Sequence, residues 1–194
     1  MNDTTLILSF HPDLGSSHAN RALLDAVKNL PGVSIVDLYG LYPIDEVDTA
    51  AEVQRLLSAK RLVLQFPVQW YSTPALLKNW QDRVLTQMYY MAYETQGSRL
   101  EGLPIMIVAT AGNTSEAYSE TGANLFSLEQ LLQPLRATAH RCQWAWSDPF
   151  LVYRANKLPG SELNVIATEY RARIEQFQRT EINIDQRRSS AQSH

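Results

Sequence analysis

Three short stretches of this 194-residue chain carry side chains whose types and spacing suit chemistry. The first, His11-Pro12-Asp13-Leu14-Gly15-Ser16-Ser17-His18-Ala19-Asn20, gathers neutral hydrogen-bonding groups directly before an apolar helical period. Main-chain N–H groups and the dipole at a helix N-terminus favour an anion, and Ser17, Asn20 and a ring nitrogen of His11 can donate to it without a permanent counter-charge. Neither a P-loop pattern nor G-x-G-x-x-G is present. Simple capping of the helix by Ser16 or Ser17 is the competing explanation. The second stretch, residues 66–74, sets Val68, Gln69, Trp70 and Tyr71 just past a buried apolar run. An aromatic pair there suits a flat ring that is apolar on its faces and polar at its edge. Covering the sheet end or meeting a second subunit are the alternatives. The third stretch, Ala109-Thr110-Ala111-Gly112, opens a polar loop that contains Tyr118 and reaches Asn124.

These stretches need a scaffold, and the rest of the chain supplies one. Short apolar runs at residues 5–10, 33–38, 62–66, 105–110 and 142–146 have the length and the Pro or Gly boundaries of buried parallel strands. Helical periods lie between them. Ala19, Leu23, Ala26, Val27 and Leu30 share one face, stopped by Pro31-Gly32, and Asp45 or Asp48 opens a second helix through Leu57. Thr73-Pro74 has the form of a cap with Pro in the first turn, before Leu77, Trp80, Val84 and Met88. Ser127-Leu128-Glu129-Gln130 has capping-box spacing, and Pro134 predicts a kink in the helix that follows. Ser161 opens a last helix carrying Leu163, Ile166, Tyr170, Ile174 and Phe177.

Five β-then-α units imply an α/β fold, an open parallel sheet with helices on both faces. Ligands of such sheets bind beyond the carboxyl ends of the strands, where the strand order reverses. The loops there are residues 11–20, 67–73 and 110–124, the same three stretches.

Composition narrows the ligand. The chain is 45% hydrophobic and 19% charged with a net charge of −3, which opposes a general nucleic-acid binder. Its one cysteine, Cys142, can form no internal disulfide, and no apolar run approaches the ~20 residues of a membrane span. A cytoplasmic setting and a small-molecule ligand are the expectation. One domain is expected over residues 1–180, and the polar, aperiodic residues 181–194 suggest a disordered tail. His140 and Cys142 lack the further ligands a metal site needs.

His11-Pro12 followed by Ser17-His18-Ala19-Asn20, then residues 69–80 (QWYSTPALLKNW), then Thr110-Ala111-Gly112, resembles the flavodoxin-like NAD(P)H:quinone oxidoreductases. Among them, the chain is most similar to the short bacterial ancillary flavoproteins of glutathione-regulated potassium-efflux systems. The resemblance implies a five-stranded sheet of order 2-1-3-4-5. It implies a flavin, FMN with FAD as the alternative, whose phosphate side would meet His11, Ser17, His18, Ala19 and Asn20. Val68, Gln69, Trp70 and Tyr71 would line the isoalloxazine, and Ala109, Thr110, Ala111 and Gly112 its pyrimidine edge. Two-electron, ping-pong transfer from NAD(P)H to a quinone is the implied activity. Tyr118 matches the family's catalytic tyrosine, whereas Asn124 stands where the family has a histidine. Asn can donate a hydrogen bond there but cannot exchange a proton near neutral pH. The aromatic run of residues 88–93 resembles the region that forms a homodimer with shared active sites. The likeness also implies a membrane potassium-efflux antiporter as a partner, met from the cytoplasmic side of the membrane.

Overall fold

Period-two burial builds the sheet. In the computed structural model, which describes residues 4–179, strand β1 (Thr5–Ser9) sends Leu6 and Leu8 into one apolar cluster and Ile7 into another. The same division separates Leu62 and Leu64 from Val63 in β3 (Arg61–Pro67), and Ile105 and Ile107 from Met106 and Val108 in β4 (Pro104–Thr110). With β2 (Val33–Asp37) and β5 (Ala145–Trp146) these strands pair in parallel in the order β2-β1-β3-β4-β5. Strands apolar on both faces require helices on both. Helices α1 (His18–Val27) and α7 (Gly160–Gln178) cover the Ile7 face. The opposite face is covered by α3 (Thr49–Ser58), α4 (Ala75–Trp80) and α6 (Gln133–Arg141).

Several elements form as local chemistry dictates. Ser17 caps α1, its side chain accepting from the Asn20 N–H, and Asp48 rather than Asp45 caps α3. Ser127 and Gln130 complete a reciprocal capping box on the short α5 (Leu128–Leu131), and Pro134 divides α5 from α6. Asp37 ends β2 by capping a turn of helix, α2 (Leu38–Leu41). A buried carboxylate ties the helices of one face together. Glu52 of α3 accepts from Trp80 Nε1 (3.1 Å), Tyr42 Oη (2.9 Å) and Arg55 Nε (3.0 Å), so its charge is paired and hydrogen-bonded.

Three boundaries differ from the sequence reading. The fifth strand, expected over 142–146, is interrupted: Cys142 closes α6, β5 spans two residues, and a sixth strand, β6 (Phe150–Val152), pairs with the far end of β4. Gln143 sits at φ 56° and Pro149 carries no N–H for the ladder, which together prevent one continuous strand. Helix α4 starts one residue late, with Pro74 at the cap and no side-chain cap bond, and continues as π-helical turns over Gln81–Leu85 and Gln87–Met91. The Ala92 N–H bonds to the Gln87 carbonyl, five residues back, so the aromatic run extends this helix. Pro159, not Ser161, precedes α7. The tail expected from residue 181 lies outside the described residues.

Candidate functional site

The loop after β1 is a preorganised donor cluster. Asp13 accepts the Ser16 N–H on its carboxylate and the Ser16 hydroxyl on its carbonyl, and hydrogen bonding from Ser16 to the carboxylate holds it below the ordinary carboxylate range. His11 Nδ1 accepts from the Asp13 N–H (3.1 Å), placing the ring proton on Nε2. Burial pushes the His11 pKa down, so the ring stays a neutral donor. At the helix start, the N–H groups of His18 and Ala19 have no partner within α1 by the geometry of any helix. His18 itself is exposed and Ala19 is buried against the sheet. Arg21 reaches back to the Gly15 carbonyl (3.0 Å), adding one positive charge beside the loop.

Asn20 joins this loop to the interior. Its Nδ2 donates to Ser17 Oγ (3.3 Å) and to Thr110 Oγ1 at the end of β4 (3.0 Å). Behind it Gln65 of β3, wholly buried, donates from Nε2 to the Asn20 carbonyl (3.0 Å) and Oδ1 (3.3 Å), and accepts from the buried Tyr170 hydroxyl of α7 (3.1 Å).

The loop after β3 is of opposite character. Gln69 and Ser72 exchange both main-chain hydrogen bonds at 3.0 Å, closing a two-residue turn around Trp70 and Tyr71. Both turn residues have positive φ, 47° and 64°. Such turns ordinarily use Gly, Asn or Asp, and a bulky residue there costs about 1–2 kcal/mol. Trp70 is nonetheless 93% exposed, so no burial within the chain offsets the strain.

The third loop closes the cavity. Val68, Trp70, Tyr71, Gly112, Tyr118 and Asn124 line a recess of about 220 Å³ beyond the ends of β3 and β4. A Cβ added at Gly112 would meet nothing nearer than Asn156 Nδ2 at 3.7 Å, so the chain's own packing does not demand glycine there. At Gly122 it would collide with the carbonyl oxygens of Glu116 and Ala117, so the loop could not fold this tightly around another residue. Tyr71 Oη donates to Asn124 Oδ1 (3.4 Å), joining the second and third loops. Tyr118 packs on Tyr153 with ring centres 5.9 Å apart, and burial, with Tyr71 nearby, raises its hydroxyl pKa.

Thus Val68, Trp70, Tyr71, Gly112, Tyr118 and Asn124 share one recess, and Ser17, Asn20 and Thr110 share one hydrogen-bond network. Ala109 and Ala111 are buried, and the Ala111 N–H and carbonyl are used by Val152 and Ala155. Gln69 spends its main chain on the turn. Gln65 and Tyr153 are not singled out by the sequence, and Tyr170 is read there only as part of the last helix's apolar stripe. The signal for Gln65 was a lone amide within the apolar run of residues 62–66.

A wider groove of about 460 Å³ adjoins the recess through Val68 and Tyr71, and runs between the π-helical turns and α5–α6 past Leu85, Tyr89, Leu131 and Leu135. Among the described residues no helix is long and apolar enough to cross a membrane.

Comparison with known proteins agrees with this architecture. The ancillary protein KefF of a glutathione-regulated potassium-efflux system in Enterobacter is 40% identical over 90% of this chain and 97% of its own length. The general stress protein 14 of Treponema denticola, solved with FMN, is 31% identical with a TM-score of 0.80, covering 90% of this chain and 99% of that one. An NADPH-quinone reductase from P. pentosaceus is 28% identical with a TM-score of 0.77, covering 88% and 96%. A family model described as a flavodoxin-like fold matches residues 3–177, and the chain belongs to that family.

Proposed function

We propose that this protein is an FMN-dependent NAD(P)H:quinone oxidoreductase. The observation that carries the reading is the solvent-exposed, strained Trp70–Tyr71 turn, set between the donor cluster of α1 and the Tyr118–Asn124 loop. Strain maintained at an exposed aromatic pair is expected where a flat partner covers it. The residues suit FMN: Ser17, with Asn20 behind it, and the first N–H groups of α1 would hold its phosphate, and the space before Gly112 would admit its ring edge. Its phosphate needs donors, and the neutral His11 and Ser17 provide them without burying a charge pair. The FMN complex of the Treponema relative supports FMN over FAD.

When bound, FMN supplies the two-electron hydride chemistry. The chain's own residues would stack, orient and donate. Trp70 and Tyr71 offer faces for nicotinamide and then quinone, in ping-pong order, within one recess. Tyr118 and the Asn124 amide would donate hydrogen bonds to negative charge developing at the ring edge. The apolar groove and the exposed Tyr90 and Met91 beside it support a homodimer in which a second copy completes the substrate recess.

The purified protein is expected to be yellow and to bleach when NADPH is added anaerobically, with colour returning on addition of a quinone. A colourless protein that takes up no FMN overturns the reading. A second reading, activation of a membrane potassium-efflux antiporter from the cytoplasmic side, is favoured by the 40% identity to KefF and by Asn124, which cannot relay a proton. Yellow protein that NAD(P)H fails to bleach, yet that co-purifies with such an antiporter, selects this second role.

A further inference from the structure

The phosphate-side loop does not stand alone; a buried chain of polar groups stands behind it. We infer that Gln65, anchored by Tyr170, is a positioning residue that fixes the Ser17 hydroxyl as a hydrogen-bond donor toward the flavin phosphate. The inference rests on the FMN reading above and adds to it two residues that no ligand would touch.

The Asn20 main-chain carbonyl can only accept, so the end of the Gln65 amide facing it at 3.0 Å must be Nε2. The same Nε2 lies 3.3 Å from the side-chain oxygen of Asn20, which fixes that amide as well, with Oδ1 inward and Nδ2 outward. Both Nδ2 hydrogens are then committed, one to Thr110 Oγ1 and one to Ser17 Oγ. Ser17 Oγ also accepts from the Asn20 main-chain N–H at 3.2 Å. A hydroxyl has two lone pairs and one proton. With both lone pairs accepting, the only capacity left to Ser17 is to donate, and it does so at the N-terminus of α1, where an anion requires donors. At the far end, Tyr170, fully buried, donates to Gln65 Oε1 and satisfies the one group of Gln65 that points away from Asn20. Burial raises the Tyr170 pKa, so this hydroxyl keeps its proton.

Without Gln65 the Asn20 amide is free to turn over and present Oδ1 to Ser17, whose proton would then be drawn inward, away from phosphate. The loss should therefore fall on phosphate recognition and spare the ring. The test is fluorescence titration of flavin-free protein with FMN and with riboflavin, which lacks the phosphate. Wild type is expected to bind FMN much more tightly than riboflavin. Gln65→Met should weaken FMN about tenfold, about 1.4 kcal/mol, and leave riboflavin within about twofold. Tyr170→Phe, a near-isosteric change that keeps the fold, should act in the same direction to a smaller extent. FMN and riboflavin weakening together, or neither changing, in both variants would overturn the assignment and leave the network a packing feature. Wild type binding FMN no better than riboflavin would instead overturn the phosphate reading of the loop itself.

Discussion

The two sides of the recess are built on opposite terms. On the donor side, the polar groups of Asn20 and Gln65 and the lone pairs of Ser17 Oγ are held by one another, in unstrained helix and strand backbone, down to a tyrosine in the core. On the aromatic side, Trp70 and Tyr71 occupy left-handed backbone, one of them almost wholly in solvent, tied to the rest of the site by a single long hydrogen bond to Asn124. The difference suits the two tasks proposed above. A phosphate that stays bound rewards fixed donors, whose ordering cost is met during folding. In the proposed ping-pong reaction, a stacking platform that receives two substrates in turn would be served by surface that remains uncommitted until a ligand arrives.

Breaking the donor side should do the most damage. Asn20→Leu strands the buried Thr110 Oγ1 and takes one partner each from Gln65 Nε2 and Ser17 Oγ, and a buried group left without a partner costs about 1–3 kcal/mol. Urea denaturation should show apoprotein stability reduced by about 3 kcal/mol, and FMN affinity should fall about a hundredfold in the same variant. Retained stability with retained FMN binding would mean that the network is decorative.

Next in size is Tyr118→Phe. Removing one well-placed donor at the ring edge is expected to slow anaerobic flavin reduction by NAD(P)H about tenfold, the equivalent of one modest hydrogen bond. FMN affinity should not change, because the phosphate side is untouched. Unaltered rapid-reaction kinetics would remove Tyr118 from the chemistry and leave it a loop anchor packed on Tyr153.

The aromatic side should answer a matched change with the opposite sign. Trp70→Gly removes a bulky residue from a positive-φ position and sacrifices almost no burial, so the apoprotein should gain up to about 1 kcal/mol in thermal or urea unfolding while turnover falls. A stability loss there would show that the exposed indole has a role in the fold. Stabilisation at Trp70 beside destabilisation at Asn20 would make the contrast between the two sides quantitative.

That contrast also marks what was legible in the sequence. Caps announce themselves because their chemistry is local: Ser17, Asp48 and Ser127 each bond an N–H three residues on. The three strand-end loops followed from topology alone. Gln65 was hidden because its anchor, Tyr170, is 105 residues away and itself lay in a regular apolar stripe. The strain at Trp70 was hidden because sequence shows residue type, not φ. The split of the last strand position into β5 and β6 was obscured by the apolar run ending at Trp146, which gave no sign that pairing would resume at Phe150.

The smallest expected effect is a flat line, and it bears on Asn124. The Tyr118 hydroxyl is raised above its ordinary pKa, first by burial and then by the proximity of Tyr71, so it remains a protonated donor throughout the neutral range. Asn124 does not titrate. His11, pushed below its ordinary value by burial, is neutral above that value, and it sits on the phosphate side. Its sign is that of a base whose protonation is resisted by the fold: acidification below about pH 6.5 should erode stability, because the unfolded chain takes up the proton more readily. The rate of flavin reduction should accordingly be flat from about pH 7 to about pH 9.5. Replacing Asn124 with His should restore a titration near neutrality. A wild-type profile that already bends near pH 7 with FMN fully bound would place a proton-exchanging group at the ring edge, and the division between a fixed donor side and an aromatic side that does not titrate near neutrality would not hold.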